Sequence, residues 1–352
     1  MWTVRQRQPQ ATIGDVARLA GVGTGTVSRV LNERPNVDPA TRERVHRAIR
    51  ELDYMPGTTA RRLSLGRTQT IAVVVPFLTR PSVVERLRGI EQALVDAELD
   101  MIVFNVETPL RRDAVLRDLS RPTRVDGAIL VSIAPHEHEL RVLQRAGLPI
   151  VLVDAHHRSV PRVVVDDVGG GRLAGQHLLD LGHMRIGFVG DPLRPPLGFS
   201  SSRLRLHGLE QVLRSAGLAI PEQLLGLGEH GRQRARDLAD GLLRLDEPPT
   251  AIVAASDTQA LGVLEASDRL GLRVPGDVSI IGYDDIEAAD YLGLTTVHQP
   301  LVETGSRAVR RLVDLIAGEP GTSLREVLDV RLVVRRTTAR PGATSAPTAR
   351  SR

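Results

Sequence analysis

The segment from residue 11 to residue 32, ATIGDVARLAGVGTGTVSRVLN, most constrains the fold because it predicts two short helices joined by a tight turn. Thr12 is a suitable N-cap, and the apolar residues after it recur at the three- and four-residue spacing of one helical face. Gly21 follows them and supplies the left-handed conformation that ends a helix. A second helix is predicted from Thr24 to Asn32, with its valines directed inward.

The outward face of this second predicted helix is small, hydroxylated and cationic. It consists of Thr24, Gly25, Thr26, Ser28 and Arg29. A helix that enters the major groove of DNA needs such a face, because short side chains at its N-terminal end reach the base edges. An ordinary pair of packed helices is the alternative, and the short loop, the polar face and the N-terminal position favour DNA binding over it.

The distribution of charge supports this interpretation. Residues 1–68 contain 12 Arg and six acidic residues, and residues 335–352 contain five Arg and no acid, although the net charge of the whole chain is only +4. The region between them is therefore acidic. A basic N-terminal region attached to an acidic body is typical of a protein that binds DNA through one domain and keeps the other away from the phosphates.

Length and composition limit the other possibilities. A chain of 352 residues is too long for a single core and predicts two or three domains. The absence of Cys excludes a disulfide framework and thiolate metal sites. Because the sequence has neither a signal-peptide core nor an apolar run of membrane-spanning length, we expect a cytoplasmic protein that makes no membrane contact.

The body, residues 69–338, alternates strand-like and helix-like segments. The run TIAVVVPF is typical of a strand that is buried on both faces, and the strand–helix alternation restarts at RIGFVGD. This pattern predicts two doubly wound parallel-sheet lobes of the α/β class. We expect the chain to cross between the lobes near Asp166, near Thr296–Gln299 and near Arg325.

These crossings divide the body into two lobes of two segments each. The first lobe is predicted to comprise about 69–166 and 299–325, and the second lobe about 167–297 and 326–338. Residues 339–352 have no apolar period and are rich in Ala, Pro, Thr and Ser, so we expect a disordered tail.

Several short strings of this sequence identify a resemblance to a known family. The strings DVA, AGV and TVSRVLN, followed by VDPATRERVHRAIRELDYMP, are similar to the N-terminal domain of the lactose-repressor (LacI/GalR) family, and the similarity continues to about residue 338. The resemblance implies a helix-turn-helix domain over residues 1–55 and a body with the type I periplasmic-binding-protein fold. It also implies a homodimeric transcriptional repressor that binds a near-palindromic double-stranded operator and a small-molecule effector, with no cofactor or metal.

The same resemblance implies further contacts with DNA. Thr12, Asn32 and Tyr54 are expected at the DNA together with the outward face of the second helix. Residues 56–68 resemble the family's hinge helix, in which Leu63 would enter the minor groove while Arg61 and Arg62 follow the adjacent phosphates. A plain flexible linker is the alternative for this segment.

The resemblance also places an effector between the lobes. The string SSSRLRLHG puts Arg203 in the cleft with Phe199 and Ser201 nearby, and IIGYDD places Asp284 opposite. Further candidates are His230, Ser256 and Asp257. A guanidinium that faces a carboxylate suits a polyol such as a sugar. An ion pair between the lobes without a ligand is the alternative.

One loop departs from the family pattern. Where aromatic residues are common, this chain has Arg80, Pro81, Ser82 and Val83. We include Arg80 and Val83 among the effector-binding candidates. Because Arg80 is cationic and the sugar-stacking aromatics are missing, an acidic or phosphorylated effector is also possible.

Two other functional classes remain as alternatives, a solute-binding protein and an enzyme on the same doubly wound sheet. The basic N-terminal region and the missing signal peptide oppose the first. No nucleophile–base signature supports the second, since GGGRLAG lacks the spacing of a dinucleotide fingerprint and HEHEL lacks partner ligands for a metal. We therefore predict a regulator and not an enzyme.

Overall fold

The computed structural model describes residues 11–31, 34–54, 68–121, 125–319, 321 and 323–342. The chain forms two compact units, residues 1–69 and residues 70–352. None of the described helices is long and apolar enough to cross a membrane.

The N-terminal unit contains helices α1 (Ile13–Ala20), α2 (Thr24–Leu31) and α3 (Pro39–Glu51). Thr12 caps α1 reciprocally with Asp15, since each side chain bonds to the other residue's backbone N–H. Gly21 ends α1 with a φ of 65°. Asp38 accepts a hydrogen bond from the backbone of Thr41 and so caps α3. The three helices enclose a small core that consists of Val16, Ala17, Ala20, Val27, Val30, Val45, Ala48 and Tyr54.

The first lobe of the second unit is built on a parallel sheet in the order β11-β5-β4-β3-β1-β2. Its strands are β1 (Thr70–Pro76), β2 (Asp100–Val106), β3 (Gly127–Val131), β4 (Ile150–Val153), β5 (Arg162–Val165) and β11 (Arg325–Leu328). Its helices are α4 (Pro81–Asp96), α5 (Pro109–Leu119), α6 (Glu137–Arg145) and α12 (Leu301–Ala317).

Both faces of this sheet are buried, as the apolar runs predict. Ala72 and Val74 of β1 pack with α5 and α6, whereas Ile71, Val73 and Val75 pack with α4 and α12. Alternate residues of one strand therefore enter two separate cores, which explains why the run is apolar throughout.

The second lobe repeats the design with the strand order β12-β10-β9-β8-β6-β7. Its strands are β6 (Ile186–Gly190), β7 (Leu225–Leu227), β8 (Ala251–Ala254), β9 (Ser279–Asp284), β10 (Thr295–His298) and the antiparallel β12 (Arg331–Val333). Its helices are α7 (Asp167–Asp180), α8 (Ser201–Ser215), the short 3₁₀ turn Glu222–Leu224, α9 (Arg232–Leu243), α10 (Asp257–Arg269) and α11 (Glu287–Leu292). The predicted fold class, a helical N-terminal domain with a two-lobed α/β body, is confirmed.

Two boundaries differ from the prediction. The chain does not cross between the lobes at Arg325, because residues 325–328 form β11 and pair with β5 of the first lobe, so the crossing lies at Asp329 and Val330. The prediction of disorder from residue 339 is wrong at Ala339. Its backbone N–H donates to Ser279 Oγ at 3.1 Å, and its carbonyl oxygen lies 2.8 Å from His183 Nε2. These contacts order the segment even though it has no apolar period. Residues 343–352 lie outside the described range.

Candidate functional site

A polar chamber lies between the two lobes, at the carboxyl ends of the strands of both sheets. In doubly wound sheets this is where ligands bind, because the loops that leave the strands there converge. The chamber has a volume of about 60 Å³ and adjoins a second cavity of about 560 Å³, the mouth, which is lined by Phe77, Phe199 and several prolines. Residues at or just after strand ends that line the chamber are Pro76, Ser132, Asp154, Asp191, Ala255, Asp284 and Gln299.

Arg205, on α8, is the cation of the second lobe that lines this chamber. Its Nε donates to Asp167 Oδ1 at 2.8 Å, and its Nη1 donates to the carbonyl oxygen of Ala255 at 2.6 Å. The same Nη1 lies 3.7 Å from Asp284 Oδ1, and the guanidinium lies 3.6 Å above the ring of Tyr283. Burial disfavours the charge on Arg205, but its interactions with Asp167, Tyr283 and Asp284 more than compensate and raise its pKa. The guanidinium is therefore held in place by four partners.

The sequence-based choice of Arg203 as the cleft arginine is wrong. Arg203 is exposed and does not line the chamber, whereas Arg205, two residues later, is buried. In an α-helix a shift of two residues rotates a side chain by about 200°, so the two arginines point to opposite sides of α8. The matching string located the correct helix but not the correct face.

Asp284 lies at the end of β9, as predicted, and connects the second lobe to the first. It accepts a short hydrogen bond from the side-chain amide of Gln299, whose Oε1 accepts from Arg86 Nη2 at 3.1 Å. Arg86, on α4, also lies 3.4 Å from Asp154 Oδ2. Burial raises the pKa of Asp284, although Arg205, Arg86 and Gln299 act in the opposite direction. This connected set of donors and acceptors runs from one lobe to the other.

Six other predicted effector residues do line the chamber, namely Arg80, Val83, Phe199, Ser201, His230 and Ser256. Ser201 donates to Asp154 Oδ1 across the lobes at 3.1 Å. His230 Nδ1 lies 3.1 Å from Asp191 Oδ1, which also accepts from Gln259. Burial opposes the charge on Asp191, but the hydrogen bond to His230 and nearby cations keep its pKa below the ordinary value.

Asp257 does not line the chamber, contrary to the prediction. Its Oδ1 accepts from Thr296 Oγ1 at 2.6 Å and its Oδ2 from the backbone N–H of Ile286 at 2.9 Å. The turn that it holds contains Asp284 and Asp285, which have φ values of 116° and 62°. Burial, and then the charge of Asp284, raise the pKa of Asp257 to about 8. Asp257 therefore positions Asp284.

Several residues of the chamber were missed from the sequence. Ser132, Asp154 and Asp191 each follow a buried strand directly, so the strand-end rule could have identified them. The other missed residues with polar or charged side chains are Ser82, Arg86, Ser202, Arg205, Gln259 and Gln299. Within the described ranges, no group of three or more His, Asp or Glu side chains is arranged to hold a metal ion.

The predicted DNA-binding face lies on α2. Thr24, Gly25 and Arg29 are exposed, and Thr26 and Ser28 are partly exposed. The exposed Thr12 also caps α1. Tyr54 does not lie on the exposed face, because the residue is only 8% exposed and packs in the core of this unit. Asn32, Arg61, Arg62 and Leu63 lie outside the described residues.

Residues 12–57 match the family of bacterial regulatory proteins named lacI, and residues 176–338 match the periplasmic binding protein-like domain. The ribose operon repressor of Escherichia coli (strain K12) is 35% identical over 311 residues, which cover 87% of this chain and 93% of that repressor. The HTH-type transcriptional regulator CelR of Thermobifida fusca is 35% identical over 346 residues, with 94% and 98% covered.

Solved structures of regulators are also similar to this chain. The lac repressor dimer bound to operator and the anti-inducer ONPF aligns with a TM-score of 0.82 and 29% identity, covering 94% of this chain and 99% of that chain. The complex of the regulator CelR with cellobiose aligns with a TM-score of 0.70 and 33% identity, covering 93% and 99%. The similarity thus spans both units of the chain.

Proposed function

Because the chain belongs to the lacI family of bacterial regulatory proteins, we propose that it is a transcriptional repressor whose affinity for operator DNA changes when a small neutral polyol binds between its lobes. It acts on DNA in the cytoplasm as a homodimer and not as an enzyme. The relatives support the repression, the ligand class and the dimer, since they include a ribose operon repressor, a cellobiose complex and a dimer on its operator.

The observation that carries the ligand proposal is the pairing of charges in the chamber. Arg86 is matched by Asp154, and Arg205 by Asp167 and Asp284. The side chains that line the chamber include three arginines, Arg80, Arg86 and Arg205, and three carboxylates, Asp154, Asp191 and Asp284. Because their charges balance, the chamber offers donors and acceptors without an excess of charge. Hydroxyl groups can donate and accept, so a sugar fits this arrangement better than an acid or a phosphate ester does.

A thermal-shift screen of pentoses, hexoses, disaccharides and sugar phosphates tests the ligand class. We expect a neutral sugar to raise the melting temperature, and Asp284→Asn to weaken its binding by about 10- to 100-fold, because a charged hydrogen-bond partner is lost. Asp285→Asn is the matched control, since Asp285 is the next residue in the same turn but pairs with His298 and Arg335 outside the chamber. Stabilisation by sugar phosphates alone would contradict a neutral ligand.

The DNA proposal rests on the exposed face of α2, with Arg29 as its cation. Operators selected from a random DNA library provide the probe. We expect Arg29→Ala to lose about 1–3 kcal/mol of sequence discrimination at matched salt. Arg50→Ala removes the same charge from the exposed surface of α3 and should leave the sequence preference unchanged. Equal loss in both variants would exclude α2 as the reading helix.

Two predictions concern assembly. A dimer doubles the base contacts, so the selected operators should be near-palindromic, and a monomer in sedimentation at micromolar concentration, both free and on DNA, would contradict this. Leu63→Ala should lower operator affinity without changing the affinity of the free protein for its ligand, because the proposed hinge contacts only DNA and its dimer mate.

A further inference from the structure

The loop that joins β6 to α8, residues 191–199, starts in the second lobe but packs against the first. Leu197 is 8% exposed and belongs to the core cluster formed by β1–β4 with α5 and α6 of the first lobe. Phe199 packs against the same cluster. All other members of this cluster, among the described residues, come from the first lobe. The loop therefore places a second-lobe leucine in a first-lobe core.

An aromatic contact between the lobes accompanies this leucine. The rings of Phe77 from the first lobe and Phe199 from the second meet edge to face with their centroids 6.4 Å apart. The guanidinium of Arg80 lies 4.0 Å from the centroid of Phe77 and 5.7 Å from that of Phe199. Since Phe199 and Arg80 line both the chamber and its mouth, this contact stands between the two cavities.

The loop itself is stiff. Pro192, Pro195 and Pro196 fix φ at three positions, and Gly198 adopts a φ of 78° while its N–H donates to the carbonyl oxygen of Pro195 at 2.9 Å. A stiff loop loses little conformational entropy when its leucine docks. Because the loop is stiff, Leu197 also moves together with the second lobe.

We propose that residues 191–199 form a latch that holds the two lobes closed and controls passage from the mouth to the chamber. Leu197 anchors the latch in the core of the first lobe. Phe199, together with Arg80 and Phe77, forms the barrier between the mouth and the chamber. A ligand passes from the mouth into the chamber only when Leu197 leaves the first lobe. Only the entry of a ligand into this chamber rests on the proposed function, because the closure of the lobes follows from the contacts themselves.

Distances between spin labels on the free, full-length protein test the latch. Because the chain has no Cys, Leu110→Cys and Gln233→Cys introduce unique label sites at the first turns of α5 and α9, on opposite sides of the mouth. Labelled chain is diluted with unlabelled chain so that distances within one chain dominate. We expect one narrow distribution for the parent, and for Leu197→Ala a longer-distance population increased at least about tenfold, the usual scale for truncating a buried leucine.

Leu193→Ala is the matched control, because Leu193 lies in the same loop but is 47% exposed. It should keep the parent distribution. A folded Leu197→Ala variant with the parent distribution would refute the latch, as would an equal change in Leu193→Ala. If Leu197→Ala does not fold, Gly198→Ala decides, since it strains the turn without removing a core side chain and should also increase the longer distance. A failed ligand screen would overturn the proposed ligand and leave these distances unaffected.

Discussion

Replacement of Arg205 by methionine should destabilise the second unit by about 3–5 kcal/mol. Methionine fills a similar volume but leaves the buried carboxylates of Asp167 and Asp284 without their cation, and removal of one partner from a buried ion pair costs about this much. The exposed Arg203 provides a matched control in the same helix. Arg203→Met should change the free energy of unfolding by less than about 0.5 kcal/mol.

The stability that Arg205→Met loses should be larger at high pH than at low pH. Burial raises the pKa of Asp167 to about 6 in the folded parent, from an ordinary value of 3.8. A folded-state pKa above the unfolded value means that stability falls as the pH rises between the two values. Arg205 lowers the pKa of Asp167, so its removal extends this window to higher pH. The difference between parent and variant should therefore be smaller at pH 5 than at pH 8.

Urea unfolding followed by circular dichroism at pH 5 and pH 8 measures both effects. The double variant Arg205→Met with Asp167→Asn should recover part of the loss at pH 8, because one of the two unpaired charges is gone. A cost that is the same at both pH values, or an Arg203→Met variant as unstable as Arg205→Met, would refute the view that Arg205 neutralises buried carboxylates.

Three further predictions follow from other parts of the fold, each measured by chemical or thermal unfolding. Gly89→Ala should destabilise the fold by about 1–3 kcal/mol, because the new Cβ would collide with the carbonyl oxygen of Val302 where α4 packs on α12. Gly241→Ala is the control, since its Cβ would point into open space on α9, and it should stabilise the fold by about 0.5–1 kcal/mol. Between about pH 4 and pH 8 the free energy of unfolding should fall less steeply with rising pH in Asp257→Asn than in the parent, by up to about 1.4 kcal/mol per pH unit, because the folded-state pKa of Asp257 is about 8. Thr12→Ala should destabilise the N-terminal unit by about 1 kcal/mol through loss of the α1 cap, and an unchanged melting temperature would contradict the role of that cap.

Much of the fold could be predicted because local chemistry determines it. The cap at Thr12, the left-handed Gly21 and the buried strands all follow from single residues or short periods. The sequence did not reveal the pairing of β11 with the first lobe, since REVL is short and its partner lies about 160 residues earlier in the chain. Nor did it reveal the ordered backbone at Ala339, which depends on the distant His183 and Ser279. Long-range pairing leaves no local pattern.

The chamber residues show where a stricter use of helical phase would have improved the prediction. Arg205 lies four and eight residues before the buried Leu209 and Leu213, and is therefore in phase with the apolar stripe of α8, whereas Arg203 is out of phase. An arginine on an apolar stripe is buried and needs a partner, because an unpaired guanidinium in a core is costly.

Helical phase alone, however, does not distinguish a functional arginine from a structural one. Arg112 is also in phase with an apolar stripe, that of α5, and is buried, but its partner is Glu139 on the neighbouring helix α6, at 2.7 Å. Arg86 instead pairs with Asp154, and Arg205 pairs with Asp284 in addition to Asp167 on α7. Asp154 and Asp284 both lie at strand ends at the junction of the lobes. A carboxylate at a strand end faces the cleft, whereas one on a helix faces another helix. The presence of a strand-end partner, and not the burial of the arginine, therefore assigns Arg86 and Arg205 to the chamber and Arg112 to the core.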